Sequence, residues 1–145
     1  MNGFYLKRTY IGQLPYGASL YESLTEIVLR EDIRIGRFTG IGATKHARIG
    51  YYNQNSKQYQ EIEFHEGMEI LSLQGNISIR DGKPFVHAHI TLSDSTGATF
   101  GGHLLPGTIV FACELTIDIF EGEELVREYD ERTGSYLWKN NTLTS

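Results

Sequence analysis

Three of the five histidines in this 145-residue chain, His87, His89 and His103, fall within a short stretch. The first two lie in Phe85-Val86-His87-Ala88-His89-Ile90-Thr91-Leu92, whose alternation suits a β-strand. Side chains on a strand change face at every residue. His87 and His89 therefore share one side, while Val86, Ala88 and Ile90 share the other and can pack on a core. Two imidazoles so placed can approach one metal ion. His103 follows the turn-rich connection Ser93-Asp94-Ser95-Thr96-Gly97 and a short second strand that ends in Gly101-Gly102. A hairpin at that connection returns His103 to the first pair. Three neutral imidazoles with an open fourth position are what a catalytic zinc site needs. The competing reading is three polar residues on a wet sheet face.

The elements that must position these residues can be read in outline. Glu69 to Ile79 forms a strand entering the Asp81-Gly82 turn, and Phe85 to Leu92 leaves it, so the two should pair as a hairpin. Ser19 with Glu22 three residues on is a capping-box pattern. Leu20, Leu24, Ile27 and Val28 then make one apolar stripe, which predicts a helix over about residues 18–31 covering one face of a sheet. Tyr5 to Ile11 precedes it as a strand. Ile33 to Gly42 follows as a strand laden with Gly36, Gly40 and Gly42, without the strand-to-helix glycine turn of a dinucleotide site. Ala43 to Tyr52 and Lys57 to Phe64 read as the next two strands, with His46 and His65 as rim residues near strand ends rather than ligands.

Thr108 to Phe120 is apolar at nearly every position through Leu115, which predicts burial on both faces and leaves Glu114 needing a partner or a proton. An arginine across a subunit interface is one such partner. Leu125 to Tyr129 reads as a final strand, and the polar tail from Asn140 to Ser145 as loose. No repeat or linker appears. The expectation is a single α+β domain over 1–145, ordered from about 5 to 138, with a mixed or antiparallel β-sheet core and one main helix.

Composition narrows the function classes. Hydrophobic residues make up 40% and charged residues 21%, as in an ordinary globular domain large enough to bury roughly 70% of its unfolded surface. No apolar run reaches the roughly 20 residues that cross a bilayer, and the first residues do not read as a signal peptide, so the expected address is the cytoplasm, with no membrane partner. The lone Cys113 sits in an apolar run and reads as an inert core thiol. A net charge of −5 with scattered basic residues argues against direct DNA binding, unless distant arginines such as Arg34, Arg37 and Arg48 assemble a basic face.

Several blocks resemble a known family. Gly67-Met68-Glu69-Ile70-Leu71-Ser72-Leu73-Gln74-Gly75-Asn76-Ile77-Ser78, then Pro84-Phe85-Val86-His87-Ala88-His89, then Gly101-Gly102-His103-Leu104 with Gly107-Thr108, resemble in the same order the blocks of the plants-and-prokaryotes conserved (PPC) domain. The resemblance runs from about Tyr5 to Trp138. It implies a homotrimer whose three-histidine cluster, here His87, His89 and His103, holds zinc or a similar divalent metal. It also implies a fold similar to that of acetolactate decarboxylase, a zinc enzyme with an HxH pair and a third histidine. In plants the domain accompanies AT-hook segments that bind DNA, and no AT-hook sequence is found here. Glu69 occupies the family's motif glutamate. If it faces the metal it could serve as a general acid or base; otherwise it is a structural carboxylate.

Two function classes follow. One is a metal-stabilised trimeric module for binding or assembly, linked to DNA, if at all, through a partner. The other is a zinc-dependent lyase acting on a small oxyacid or carbonyl ligand at the metal. Direct DNA binding, as in the plant relatives, is a third alternative.

Overall fold

One helix lies over a nine-stranded mixed sheet in the computed structural model, which describes residues 2–143. The order along the chain is β1 (Tyr5–Leu14), α1 (Leu20–Arg30), β2 (Gly36–Asn53), β3 (Gln58–Phe64), β4 (Met68–Arg80), β5 (Lys83–Ser93), β6 (Thr99–Leu104), β7 (Ile109–Glu121), β8 (Val126–Asp130) and β9 (Ser135–Trp138). The strands are arranged β1-β7-β2-β6-β5-β4-β8-β9, with β3 also on β2 and a further β2–β4 pairing. All pairings are antiparallel except β4 with β8.

The predicted helix forms where its apolar stripe requires. Leu20, Leu24 and Val28 are fully buried, and Ile27 packs at the edge of the same cluster. Each buried side chain stabilises the fold by about 1.5–3 kcal/mol relative to exposure. The capping box does not form. Ser19 stands at the N-cap with extended dihedrals but makes no side-chain cap bond, and Glu22 instead accepts from the Gly107 amide at 3.2 Å. A long-range partner has displaced the local one.

β2 is one continuous strand, not the two that its glycines and polar residues suggest. Its first half pairs with β7 and β4, and its second half with β3 and β6. An irregularity lies at Gly42, whose φ of +152° and close backbone neighbour, Ala112, both demand glycine, and the change of partners follows between His46 and Ala47, where pairing with β7 ends and pairing with β3 begins. Because β4 pairs with β5, β5 with β6, and β6 with β2, these four strands close into a ring.

The Asp81-Gly82 hairpin is as expected: both residues have positive φ, and Arg80 faces Lys83 across a two-residue turn. β7 departs from expectation. Val110, Cys113, Leu115 and Ile117 are buried, but Phe111 is 57% exposed and Glu114 faces solvent. Only one side of the sheet has an apolar layer against it in this chain, so β7 alternates instead of burying both faces, and Glu114 needs no buried partner. Nor is Leu125 to Tyr129 the last strand, because β9 turns back and pairs with β8. No helix among the described residues is long and apolar enough to cross a membrane.

Candidate metal centre

β5 presents His87 and His89 on one face, with Val86, Ala88, Ile90 and Leu92 buried on the other. β6 returns antiparallel and sets His103 directly opposite His89. The Gly-Gly step before His103 has a steric reason: a Cβ on Gly102 would stand 2.6 Å from the Gly50 carbonyl oxygen. β6 can therefore lie close on β2, with His103 paired to Gly50. Ring centroids are 5.2 Å apart for His87–His89, 5.2 Å for His87–His103 and 5.5 Å for His89–His103. One ring nitrogen from each lies within 4.8 Å of the others.

The chemistry of these donors fits a divalent metal. Burial first, then the charges of Arg127, His103 and His89, pull the His87 imidazole down to about 4. Burial, then His89, does the same to His103, also to about 4. Both are therefore neutral at pH 7 and have lone pairs to offer. Nδ1 of His103 is buried without a hydrogen-bond partner among the described residues, a costly state that a metal bond would relieve. Tyr59 packs beside it with ring centroids 5.0 Å apart.

Arg127 was not apparent from the sequence. It is only 8% exposed, and its guanidinium donates to Ser78 Oγ at 2.8 Å, Asn76 Oδ1 at 2.8 Å and the Tyr136 carbonyl at 3.0 Å. All three acceptors are neutral. The Phe85 and Trp138 rings lie 5.7 and 5.3 Å from it. Asn76 is paired with His87 across β4 and β5, so this uncompensated cation stands beside the histidines. Arg127, Arg80, His87, His103, Tyr52, Tyr59 and Tyr136 are among the residues lining one pocket of about 270 Å³. Such a pocket, with a fixed cation and two of the three clustered imidazoles in its wall, has the chemistry to take a small oxyanion.

Glu69 lies apart from this cluster. It pairs with Ser93, while the histidine-bearing positions pair with Asn76 and Gln74; at about 3.3 Å per residue this separation is on the order of 15 Å. Glu69 instead lines a separate hollow with Lys45, Asp94 and Phe111, so within one chain the register holds it apart from the three histidines. Cys113 is the inert thiol expected, buried and pushed up to about 11, mainly by burial and then by Glu114. No open basic face is built from the three arginines singled out in the sequence. Arg34 is bonded to Glu124 and lies 3.4 Å from Asp32, Arg37 reaches Asp118 at 3.0 Å, and Arg48 pairs with Glu61 and Glu63. His46 and His65, read as separate rim residues, meet around Glu63.

The sequence profile of the Plants and Prokaryotes Conserved (PCC) domain matches residues 2–121. A metal-containing protein from Archaeoglobus fulgidus is 38% identical, with 97% of this chain and 99% of that one covered and a TM-score of 0.90. A plant- and prokaryote-conserved (PPC) protein from Pyrococcus horikoshii is 36% identical over 97% of each chain, with a TM-score of 0.91. A protein from Bacteroides thetaiotaomicron, described provisionally as DNA-binding, is 27% identical over 94% of this chain and 96% of that one, with a TM-score of 0.84. A Staphylococcus aureus protein similar to alpha-acetolactate decarboxylase shares the fold at a TM-score of 0.52 and 13% identity, over 84% of this chain and 54% of that one. The chain spans only 18% and 16% of the length of the curated relatives it matches, the bifunctional protein GlmU of two Synechococcus strains, at 28% and 29% identity.

Proposed function

This chain belongs to the Plants and Prokaryotes Conserved domain family, and from that premise we propose that it is a trimeric zinc-binding module which holds a small oxyanionic ligand between its metal and Arg127. The observation that carries this reading is the buried Arg127, bonded only to neutral acceptors beside three converging histidines. His87, His89 and His103 would hold the ion. A zinc ion bound there supplies Lewis acidity and one attachment point for a ligand oxygen. Arg127 binds and orients the ligand's carboxylate, Tyr59 and Phe85 limit the size of what enters, and Asn76 and Ser78 keep the guanidinium aimed.

The experiment is calorimetric titration of oxalate and pyruvate into zinc-loaded protein. Binding should weaken at least about tenfold in Arg127→Lys, the loss of one charge-assisted bidentate contact. Arg127→Met, which keeps the apolar contacts of the stem, guards against simple loss of folding. Equal binding in all three proteins would remove the ligand half of the proposal. Loss of zinc in His87→Ala and His89→Ala tests the other half.

A second reading, a lyase acting on a small oxyacid, is favoured by the same pocket: among the described residues no carboxylate joins the three histidines, which leaves room at the ion for a reacting carbonyl. Against direct DNA binding stands the pairing of Arg34, Arg37 and Arg48 with carboxylates. A connection to DNA would then run through a partner protein. The assembly is supported by apolar side chains on the uncovered side of the sheet. Ile11, Ile41 and Leu71 are exposed on β1, β2 and β4 and line one hollow with Glu114, a surface suited to a second copy of the chain.

A further inference from the structure

The antiparallel register between β2 and β3 places Ala47 opposite Phe64 and Arg48 opposite Glu63. Continued by one residue, it sets His46 across from His65. Glu63 and His65 are two apart and so share a side, which makes this cluster a cross-strand copy of the arrangement that gathers His87, His89 and His103. The donor atoms converge: His46 Nε2 and His65 Nε2 each lie 3.6 Å from the same oxygen, Oε2 of Glu63. The three ligand atoms all lie within 4.8 Å of one another, and the two imidazole centroids are 5.1 Å apart.

Three features separate this cluster from an ordinary surface ion pair. The first is ring placement. His46 Nδ1 is 3.1 Å from the Gly107 carbonyl oxygen, which holds the ring and leaves Nε2 as the nitrogen presented to Glu63. The second is distance. A protonated histidine closes on a carboxylate to about 2.7–2.9 Å. A tetrahedral ion with bonds of about 2.0–2.1 Å holds its ligand atoms about 3.3 Å apart, closer to the 3.6 Å found on both sides of Glu63. The third is orientation. Arg48 Nε lies 3.1 Å from the other Glu63 oxygen, Oε1, an ion pair without hydrogen-bond alignment that draws Oε1 and leaves Oε2 to the histidines. The Arg48 charge is shared with Glu61, and Lys45, the next cation along β2, is turned away over the Tyr16 ring at 4.6 Å.

We propose that His46, Glu63 and His65 form a second divalent-cation site of the zinc type, tying β2 to β3 and to the segment that leads into β4. Two imidazoles and one carboxylate suit a borderline ion such as Zn²⁺ rather than Ca²⁺ or Mg²⁺, which prefer all-oxygen ligands. The site draws on no residue of the His87–His89–His103 centre, so either can fail without the other.

The test is zinc content after equilibrium dialysis at pH 7, paired with a zinc titration followed by calorimetry. His65 is the variant of choice because its side chain is 77% exposed, and its removal disturbs no core contact. Wild-type protein should bind one more zinc per chain than His65→Ala, and Glu63→Gln should bind that ion at least about tenfold more weakly. In a His87→Ala/His89→Ala background, zinc should still raise the thermal midpoint, and adding His65→Ala should abolish that rise. Unchanged zinc content and unchanged affinity in both His65→Ala and Glu63→Gln would overturn the proposal. Loss of zinc confined to the His87→Ala/His89→Ala protein would overturn it equally and leave the first centre standing.

Discussion

Asp118 shows how much one side chain can do on this sheet. On β7, it accepts from Thr9 Oγ1 of β1 at 2.8 Å and from Arg37 Nε of β2 at 3.0 Å, so one carboxylate spans three strands. The hydrogen bonds from Thr9 and Arg37 hold its carboxyl below the usual range. A carboxylate depressed in the folded state adds stability that is fully present above the unfolded value of about 3.9 and is lost as pH falls through the folded value. Asp118→Asn should therefore cost about 1 kcal/mol at pH 7, given the partly solvated pair, and the gap between variant and wild type should narrow steadily below about pH 4. Urea midpoints across that range check it; a constant gap would show that geometry rather than charge is at work. At this scale the sequence is legible where chemistry repeats locally. His87 and His89 betray their shared face because a strand has a period of two. Arg127 gives no such sign, since its role depends on the parallel contact of β8 with β4, which brings it to Asn76 and Ser78 from far along the chain.

Elements carry the site through close approach of backbone to backbone. Gly75 lies under the Phe38 ring, with no room for a Cβ, and Gly102 lies against Gly50. Gly102→Ala must push β6 away from β2 and carry His103 with it. If the three histidines hold zinc as proposed, the expected result is at least a tenfold weaker hold on added zinc, roughly what a displaced ligand costs, read by competition with a chelating dye. Gly12→Ala is the control, since nothing lies within 4 Å of the added carbon. The helix and the Asp81-Gly82 hairpin were readable because stripe and turn chemistry are local. The continuity of β2 was not. Glycine usually ends or weakens a strand, but here Gly42 serves a bulge within the strand's pairing with β4 and β7, before the strand passes on to β3, and that requirement comes from β4 and β7. The full burial expected of β7 failed for a related reason, because apolar composition does not say whether the second face is covered by the same chain.

For the molecule as a whole, that uncovered face sets the expectation. Ile11 is 81% exposed on it, together with Ile41, Leu71 and Phe111. Light scattering coupled to gel filtration should give three times the 16.4 kDa chain mass at micromolar concentration. A monomer would remove the trimer. Replacing Ile41 with Asp, a charge in the middle of the patch, should shift the population toward smaller species without loss of helix signal by circular dichroism. Assembly also multiplies the net charge of −5, so fluorescence anisotropy with an A·T-rich duplex at about 150 mM salt should show no sub-micromolar binding. Salt-sensitive sub-micromolar binding that weakens in Arg37→Ala would move DNA to first place among ligands.

The pairing of Tyr5 with Glu121 has a consequence for how the protein is made. β1 emerges from the ribosome long before β7 exists, and at about 5–20 residues per second it waits roughly 6–20 s for its partner. During that interval Tyr5, Leu6 and Ile11 hang on an unpaired strand edge, the kind of segment that holdase chaperones recognise. The hairpin of β4 and β5, by contrast, can close as soon as it clears the exit tunnel. Synthesis therefore runs in two tempos, an early centre and a late seal, and β1 is the segment most vulnerable to aggregation until β7 has cleared the exit tunnel.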